Sequence, residues 1–360
     1  MRIGIDAREL SGRATGVGRY LSGLLRAWAG DPHAQRHEFV LYAPEPPTLP
    51  LDGRRFPTRS VPGAPGTWWE QVRLPRVARE DRLDVFFAPA YTAPLLFSAP
   101  TVVTIHDVSY IAHPEWFRQQ EGVRRRWLTR HTAARARAII TVSEFSRGEI
   151  VERLNVPRDR VRVIPQGIDP AVSQAATRTE PRVLFVGSIF NRRHVPDLVR
   201  AFASLARLHA DASLDIVGDN RSYPYEDVNA VIDREQLGDR VRWHRYVSDA
   251  QLADLYARAR AFAFLSEYEG LGMTPLEALA AGAPGVLLDT PVARESCGDA
   301  ALYVGLGNLA PIAQALERLL YDEPTRTRLL SAAPGVLAKY SWTRAAHDTL
   351  AVLEQSAAPS

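Results

Sequence analysis

The amino-acid sequence predicts an α/β protein of two domains, each built on a doubly wound parallel sheet. Short apolar runs of strand length alternate with amphipathic stretches throughout the chain, which is typical of parallel sheets covered by helices. The chain has 360 residues, enough for two hydrophobic cores. A polar stretch without strand character at Gly167–Pro181 separates the halves, so one domain is expected on each side.

Six strands are predicted in each half from apolar runs bounded by polar or turn residues. In the first half they are Arg2–Ala7, Glu38–Ala43, Val85–Ala88, Thr101–Ile105, Ala138–Val142 and Val161–Ile164. In the second half they are Arg182–Val186, Ser213–Val217, Val241–Arg245, Ala261–Leu265, Gly285–Leu288 and Leu302–Val304. The proline-rich stretch Ala43–Pro65 is predicted to be a loop.

The predicted domains are residues 1–169 and 170–340, and residues 341–360 contain one more helix. In that last segment Trp342, Ala346, Leu350 and Leu353 recur at helical spacing and form an apolar stripe.

Composition is ordinary for a soluble globular protein, with 46% hydrophobic and 24% charged residues. The formal net charge of +3 argues neither for nor against a nucleic-acid partner, and none is expected. A single cysteine, Cys297, excludes an intramolecular disulfide and fits a reducing compartment. No run approaches 18 apolar residues, and the opening Met1–Asp6 resembles a strand rather than a signal peptide. We therefore expect a cytoplasmic protein.

The most informative motif lies in Ser266–Pro284. It places Glu269 and Glu277 eight positions apart, with a Gly-x-Gly turn and a proline between them. The apolar run Ala261–Leu265 precedes it, so the order is strand, glycine turn, helix. A helix N-terminus at the carboxyl edge of a sheet favours an anion.

This segment resembles the Glu-x7-Glu signature of retaining glycosyltransferases of family 4, which have the GT-B fold. The resemblance covers nearly the whole chain and is densest over 182–304. It implies two doubly wound Rossmann-like domains that face each other across a cleft. The first would lie on the acceptor side and the second would bind a nucleotide sugar. It also implies that the C-terminal helix crosses back to the first domain.

The same resemblance implies a role for each residue of the motif. Glu269 would bond hydroxyl groups of the donor sugar. The backbone amides of Gly270, Leu271 and Gly272 would contact the sugar and phosphate, and Glu277 would bind the ribose hydroxyls. Two surface carboxylates beside an ordinary strand–helix turn are the alternative interpretation.

Arg192 and Arg193 follow the first predicted strand of the second half. Guanidinium groups form bidentate, charge-assisted bonds to phosphate oxygens, which suits a donor diphosphate. The family commonly has an Arg-Lys pair here. Arg193 stands at the position of the lysine, so a planar guanidinium group takes the place of a compact ammonium group. Two solvated surface arginines are the alternative.

Gly16 and Gly18 lie in the stretch Thr15–Tyr20, which follows the first strand and opens a helix. Leu21 stands where the third glycine of a dinucleotide fingerprint would be, so that fingerprint is not supported. The stretch resembles the glycine loop of the GT-B N-terminal domain, which abuts the donor diphosphate and the acceptor. A tight turn alone is the alternative.

His106 and Asp107 end another predicted strand. By resemblance His106 would donate a hydrogen bond to a sugar hydroxyl, and Asp107 would orient it or stabilise a turn. Tyr246 and Val247 form a turn that in the family touches the nucleotide base through main-chain groups. Ser248 or Asp249 would cap the next helix.

Residues 118–137 carry seven arginines and one acid, Glu121. Val123, Trp127 and His131 share one helical face. Peripheral contact with an anionic membrane is one interpretation of such a basic amphipathic helix. A solvated basic face is the other.

The resulting hypothesis is a retaining hexosyltransferase that acts on a nucleotide diphosphate sugar. The segments Ile5–Arg8 and Thr15–Tyr20 resemble the mannosyltransferase-like branch of the family. This resemblance favours a GDP-sugar as the donor over a UDP- or dTDP-sugar. The acceptor would be a glycan, a lipid-linked intermediate or a small molecule such as a secondary metabolite. No Asp-x-Asp triplet occurs in the sequence, so neither a metal nor another cofactor is expected. A nucleotide-sugar 2-epimerase on the same fold and a non-catalytic nucleotide-sugar binder are the rival hypotheses.

Overall fold

A computed structural model describes residues 1–12, 16–169 and 180–357, and the side chains of 119–121 lie outside the description. The chain divides into two compact units. Unit 1 comprises Met1–Gly167 and Tyr340–Ser360, and unit 2 comprises Ile168–Lys339. Two predicted features touch residues outside the description. The predicted domain boundary after residue 169 adjoins residues 170–179, which are not described, and Thr15 of the predicted glycine loop is not described either.

Unit 1 contains one sheet of seven parallel strands in the order β3-β2-β1-β4-β5-β6-β7. The strands are β1 Arg2–Asp6, β2 Glu38–Ala43, β3 Thr58–Ser60, β4 Val85–Ala88, β5 Thr101–Thr104, β6 Ala138–Thr141 and β7 Val161–Val163. Six of them match predicted strands to within one residue at each end. The parallel, doubly wound architecture is therefore confirmed for this unit.

The seventh strand, β3, corrects the prediction of six strands and of a loop over Ala43–Pro65. All three residues of β3 are exposed, and the strand pairs with β2 at the edge of the sheet, where Leu41 lies opposite Thr58. An edge strand of polar residues has no apolar pattern, so periodicity does not reveal it.

The helices of unit 1 that precede unit 2 lie on both faces of this sheet. They are α1 Gly16–Gly30, α2 Leu74–Ala78, α3 Ser109–Ala112, α4 Gln119–Arg135 and α5 Glu144–Leu154. Helix α4 buries Leu128, Thr129 and Ala133. Val123 and Trp127, which share the apolar face noted in the sequence, are 57% and 53% exposed.

Unit 2 contains six parallel strands in the order β10-β9-β8-β11-β12-β13. The strands are β8 Arg182–Val186, β9 Ser213–Val217, β10 Val241–His244, β11 Ala261–Phe264, β12 Gly285–Leu288 and β13 Ala301–Val304. The helices are α6 Val195–Leu208, α7 Val228–Arg234, α8 Asp249–Arg258, α9 Met273–Ala280, α10 Pro291–Cys297, α11 Leu309–Tyr321 and α12 Glu323–Leu337. All six predicted strands of this half are present.

Each sheet has one point where the winding reverses. In unit 1 the chain runs outward from β1 through β2 to β3 and then returns to place β4 on the other side of β1. In unit 2 it runs from β8 through β9 to β10 and returns to place β11 beside β8. Doubly wound sheets bind ligands outside the carboxyl ends of the strands at this reversal. The loops after β8 and β11 are therefore the first place to look for a site in unit 2.

Helix α13, Trp342–Ala357, belongs to unit 1 and packs against α1. The indole nitrogen of Trp28 donates a hydrogen bond of 2.8 Å to the carbonyl of Ala346. A Cβ at Gly23 would lie 2.6 Å from the ring of Trp342, so the two helices approach at a position that only glycine allows. Leu350 and Leu353 are buried, in agreement with the apolar stripe.

Among the helices that the structure describes, none combines the length and the apolar composition needed to span a bilayer.

Candidate functional site

Arg193 lies in the loop that follows β8, at the reversal of the unit 2 sheet. Its guanidinium folds back over Gly187 and donates a 2.9 Å hydrogen bond to the carbonyl of Ser188. Gly187 has φ +147°, and a Cβ there would lie 2.6 Å from the Arg193 guanidinium. Glycine at 187 therefore allows the arginine to reach the neighbouring loop.

The partner of Arg193 in that loop is Glu269, which follows β11. Arg193 Nε donates to Glu269 Oε1 at 2.9 Å, and a terminal nitrogen of the same guanidinium lies 2.8 Å from that oxygen. Ser266 Oγ donates to Oε1 at 2.8 Å. The two charged side chains are only 13% and 17% exposed, so solvent screens the pair weakly. The carboxylate of Glu269 is thus held in one orientation at the sheet edge.

Arg192 links the loop after β8 to the loop after β11 by hydrogen bonds. Its Nε donates to the carbonyl of Tyr268 at 3.3 Å, and its own carbonyl accepts a 3.0 Å bond from the amide of Glu267. The Arg192 guanidinium also lies over the ring of Phe190, 4.4 Å from its centroid. Both predicted phosphate-binding arginines therefore lie beside the glycine turn, where they are oriented by the loop that carries Glu269.

Helix α9 begins directly after the glycine turn, at Met273. Gly272 precedes it with φ +83°, a left-handed conformation that favours glycine. Gly270 is half-buried and Leu271 is buried in the turn.

Glu277 is half-buried on α9 and accepts a 2.9 Å hydrogen bond from the hydroxyl of Tyr256 on α8. Because it lies in the second turn of α9, it stays on the same loop-and-helix assembly as Glu269. The assembly surrounds a small cavity of about 20 Å³, lined in part by Ser266, Glu269 and Pro275.

The predicted base-contacting turn joins β10 to α8. Tyr246 is 74% exposed and Val247 is half-buried. Of the two predicted caps, Ser248 is the one used, and it forms a reciprocal capping box with Gln251.

In unit 1, His106 follows β5. Its Nε2 lies 3.0 Å from the carbonyl of Pro89. A carbonyl oxygen only accepts, so Nε2 carries the proton and Nδ1 is left as an acceptor. Burial lowers the pKa of His106, which keeps the ring neutral. The nitrogen that could donate is therefore already bonded to Pro89, and Nδ1 is the ring nitrogen left to accept a hydrogen bond.

Asp107 beside it accepts bonds from the Tyr91 hydroxyl at 2.9 Å and the Ser109 amide at 2.8 Å. Burial alone would raise the pKa of Asp107, but the hydrogen bonds from Ser109, the charge of Arg125 and the bond from Tyr91 together lower it. This carboxylate stabilises the turn and stays ionised.

The glycine stretch forms the first turn of α1, as expected for a motif that opens a helix. Gly16 is exposed and Gly18 is buried. A Cβ at Gly16 would meet no described protein atom within 4 Å. Packing among the described residues therefore does not explain glycine at 16, and close approach of a ligand remains the predicted reason.

Sequence reasoning missed a buried charged cluster after β1. Arg8 lies 3.0 Å from Asp6 and 2.6 Å from Glu70, and Thr92 donates to Glu70 at 2.6 Å. Burial raises the pKa of Asp6 to about 6, although Arg8 opposes the rise. The only sequence signal is the position of Asp6 and Arg8 at the end of β1, beside the reversal of the sheet. Nothing in the sequence links Glu70 to them.

Two family models match consecutive parts of the chain. The model described as "Glycosyltransferase Family 4" matches residues 14–172, and "Glycosyl transferases group 1" matches residues 171–335. Together they span both units.

Curated relatives carry glycosyltransferase names. An O-antigen chain mannosyltransferase B of Escherichia coli is 26% identical over 69% of this chain and 68% of its own length. An alpha-D-kanosaminyltransferase of Streptomyces kanamyceticus is 27% identical over 85% of this chain and 92% of its own length.

Solved structures share the fold at low sequence identity. Sucrose-phosphate synthase from Thermosynechococcus elongatus gives a TM-score of 0.79 at 18% identity, covering 99% of this chain and 98% of that one. Anabaena HepE in complex with UDP-glucose gives 0.77 at 18% identity, covering 98% and 100%. These structures and the two doubly wound sheets show the GT-B fold. The consecutive family matches show that the chain belongs to the glycosyltransferases of the family 4 type, with mannosyltransferases among its relatives.

Proposed function

We propose that this glycosyltransferase is a retaining, metal-independent, cytoplasmic enzyme that moves a hexose from a GDP-sugar to a glycan or lipid-linked acceptor. The observation that carries the proposal is the position of Glu269. This carboxylate is held by Arg193 and Ser266 at the reversal of the unit 2 sheet, beside a glycine turn and a helix N-terminus.

The donor would lie over the loops after β8 and β11. Glu269 would accept hydrogen bonds from sugar hydroxyls, and the backbone amides of 270–272 would donate to the sugar and phosphate. Glu277, oriented by Tyr256, would accept from the ribose hydroxyls. Tyr246 and Val247 would contribute main-chain contacts to the base.

Arg192 and Arg193 would stabilise the negative charge that grows on the leaving diphosphate as the glycosidic bond breaks. Preorganised charge of this kind commonly lowers the activation barrier more than any other single effect. In front-face displacement the acceptor hydroxyl attacks on the side from which the diphosphate leaves, and its proton passes to a phosphate oxygen. His106 would accept a hydroxyl hydrogen bond through Nδ1.

Product analysis tests the reaction. Purified protein would be incubated with GDP-mannose, UDP-glucose or a dTDP-sugar, with and without lipid-linked acceptors. We expect a glycosylated product whose anomeric configuration, read by NMR, equals that of the donor. Inversion would contradict the retaining mechanism. A changed sugar epimer without acceptor would support the 2-epimerase, and tight binding without turnover would support the binder.

The nucleotide base of the donor is expected to be guanine. The mannosyltransferase-like branch often uses GDP-mannose, and one relative is named a mannosyltransferase. We expect GDP to bind more tightly than UDP or dTDP in competition calorimetry. UDP binding about tenfold tighter than GDP binding would refute the GDP donor. The transferase assignment would stand, because donor selection depends on few hydrogen bonds and can change without a change of reaction.

Turnover is expected to need no divalent metal. Arg192, Arg193 and the α9 N-terminus supply positive charge where other transferases place a divalent ion. Initial rates at 25 °C are therefore expected to be unchanged by EDTA. Loss of turnover in EDTA with recovery in excess Mg²⁺ or Mn²⁺ would overturn this mechanism.

We also propose peripheral contact of unit 1 with anionic membrane. Three large apolar side chains, Leu96, Val123 and Trp127, are 75%, 57% and 53% exposed. The loop before β5 is bonded to the end of α4, since Arg135 donates to the Leu95 carbonyl at 3.3 Å. Apolar side chains beside arginines suit a membrane surface that is both apolar and anionic.

Vesicle sedimentation checks this contact. Replacing Leu96, Val123 and Trp127 together by serine is expected to lower the fraction bound to vesicles of anionic phospholipid. The control is Leu208→Ser, which alters a leucine of unit 2 that is 74% exposed. Equal binding by the triple variant and the wild type would leave a solvated basic face as the explanation.

A further inference from the structure

A cluster of two histidines and one glutamate lies in unit 1, in elements that the proposed transfer reaction does not use. His33 and His37 flank the short turn Ala34–Arg36 between α1 and β2, and Glu354 lies on α13. Glu354 Oε1 is 3.1 Å from Nε2 of His33 and 3.1 Å from Nε2 of His37. One ligand atom from each of the three residues lies within 4.8 Å of the other two.

These distances suit a tetrahedral metal ion. Imidazole nitrogens and carboxylate oxygens bind zinc at about 2.0–2.1 Å, so two ligands of a tetrahedral ion lie about 3.3 Å apart. Both observed nitrogen–oxygen distances are close to that value. Movement of the side chains by a few tenths of an ångström would therefore admit an ion between the three atoms.

The cluster is shielded from solvent on the side of His37 and open to solvent on the side of His33 and Glu354. The His37 side chain is 4% exposed, whereas those of His33 and Glu354 are 39% and 30% exposed. An ion would enter from the side of His33 and keep a water as its fourth ligand.

A positive charge already occupies this side. The Arg36 guanidinium contacts both ring nitrogens of His33 and lies 3.8 Å from Glu354. Its side chain is 61% exposed, so it can swing into solvent. The ring of His347, on α13, lies 6.3 Å from that of His33, but its Nδ1 faces Asp348 at 3.1 Å and it is not one of the three ligands.

We propose that His33, His37 and Glu354 bind a divalent transition-metal ion of the zinc type, which links the C-terminal helix to the segment before β2. The ligands come from places 317 residues apart in the sequence. The ion would have a structural role in unit 1.

Metal titration of the full-length protein without a polyhistidine tag tests the proposal. ZnCl₂ would be added in competition with a chromophoric chelator. We expect one equivalent to bind the wild type. Glu354→Gln and His33→Gln should each weaken binding at least about tenfold, since even residues that only support metal ligands affect affinity by this much.

The matched control is His209→Gln. His209 pairs with Glu317 at 2.7 Å in unit 2, but no second histidine joins that pair among the described residues. This variant should bind zinc like the wild type. CoCl₂ should give the visible absorption of four-coordinate cobalt with the wild type and not with Glu354→Gln.

A second readout keeps the test independent of variants that fold poorly. Zinc should raise the melting temperature of the wild type, because the ion binds only the folded state, and should leave that of Glu354→Gln unchanged. Absence of stoichiometric binding to the wild type overturns the proposal. So does binding that Glu354→Gln and His33→Gln leave unaltered, which would mean adsorption elsewhere on the surface.

Discussion

Replacing Glu269 by alanine is expected to lower turnover by about 10–150-fold while the fold is retained. Loss of a hydrogen bond to a charged group costs about 1.5–3 kcal/mol, and 1.4 kcal/mol corresponds to tenfold. In this protein the change also leaves the Arg193 guanidinium, 13% exposed, without its carboxylate. The measurement is kcat/KM with the donor identified by the binding competition, beside circular dichroism.

Two further variants separate the sugar contact from the ion pair. Glu267 lies in the same loop and pairs with His194 at 2.8 Å, but its side chain is 37% exposed. Glu267→Ala should therefore keep near wild-type turnover. Glu269→Gln preserves the side-chain size but removes the charge, and we expect it to lose most of the activity. A folded Glu269→Ala protein with wild-type turnover would contradict the proposed role of Glu269 in binding the donor sugar.

The double change Arg192→Ala with Arg193→Ala is expected to have the largest effect. Two charge-assisted phosphate contacts are worth about 3–6 kcal/mol together, so affinity for the nucleoside diphosphate should fall by at least about 100-fold. Turnover should fall as well, because charge on the leaving group is no longer stabilised. Calorimetry with the diphosphate and steady-state kinetics measure the two effects.

Arg207→Ala is the matched control, since Arg207 lies on the helix that follows the pair and is 68% exposed. It should leave both quantities unchanged. The effects of Arg193→Ala and Glu269→Ala on turnover should not add, because the two side chains are in contact. Unchanged diphosphate affinity in the double variant would exclude this site, and strict additivity would contradict the orienting role of Arg193.

Periodicity predicted the central strands well because they are buried on both faces and appear as apolar runs. Periodicity did not predict β3, because Thr58–Ser60 are polar and exposed at an edge of the sheet. The face of α4 was harder to read. Val123 and Trp127 are apolar yet exposed, whereas Thr129 is buried. Helical spacing shows which residues share a face, and only packing decides which face turns inward.

For the site, the glycine turn between β11 and α9 and the order of elements were readable from local motifs. The ion pair between Arg193 and Glu269 was not, because the residues are 76 positions apart and meet only through the crossover that sets β11 beside β8. The proton on His106 Nε2 depends on the Pro89 carbonyl, which no motif places there.

The position of α13 has a consequence for how the protein is made. Unit 2 is one continuous stretch, whereas unit 1 is completed only by Tyr340–Ser360. At about 5–20 residues per second, a ribosome needs roughly 10–35 s to synthesise the intervening stretch. During that time α1 lacks the helix that covers it, and Trp28, Leu24 and Leu25 are without part of their packing. Unit 2 should therefore be obtainable as a separate fragment, whereas the first 167 residues alone should aggregate unless α13 is supplied with them.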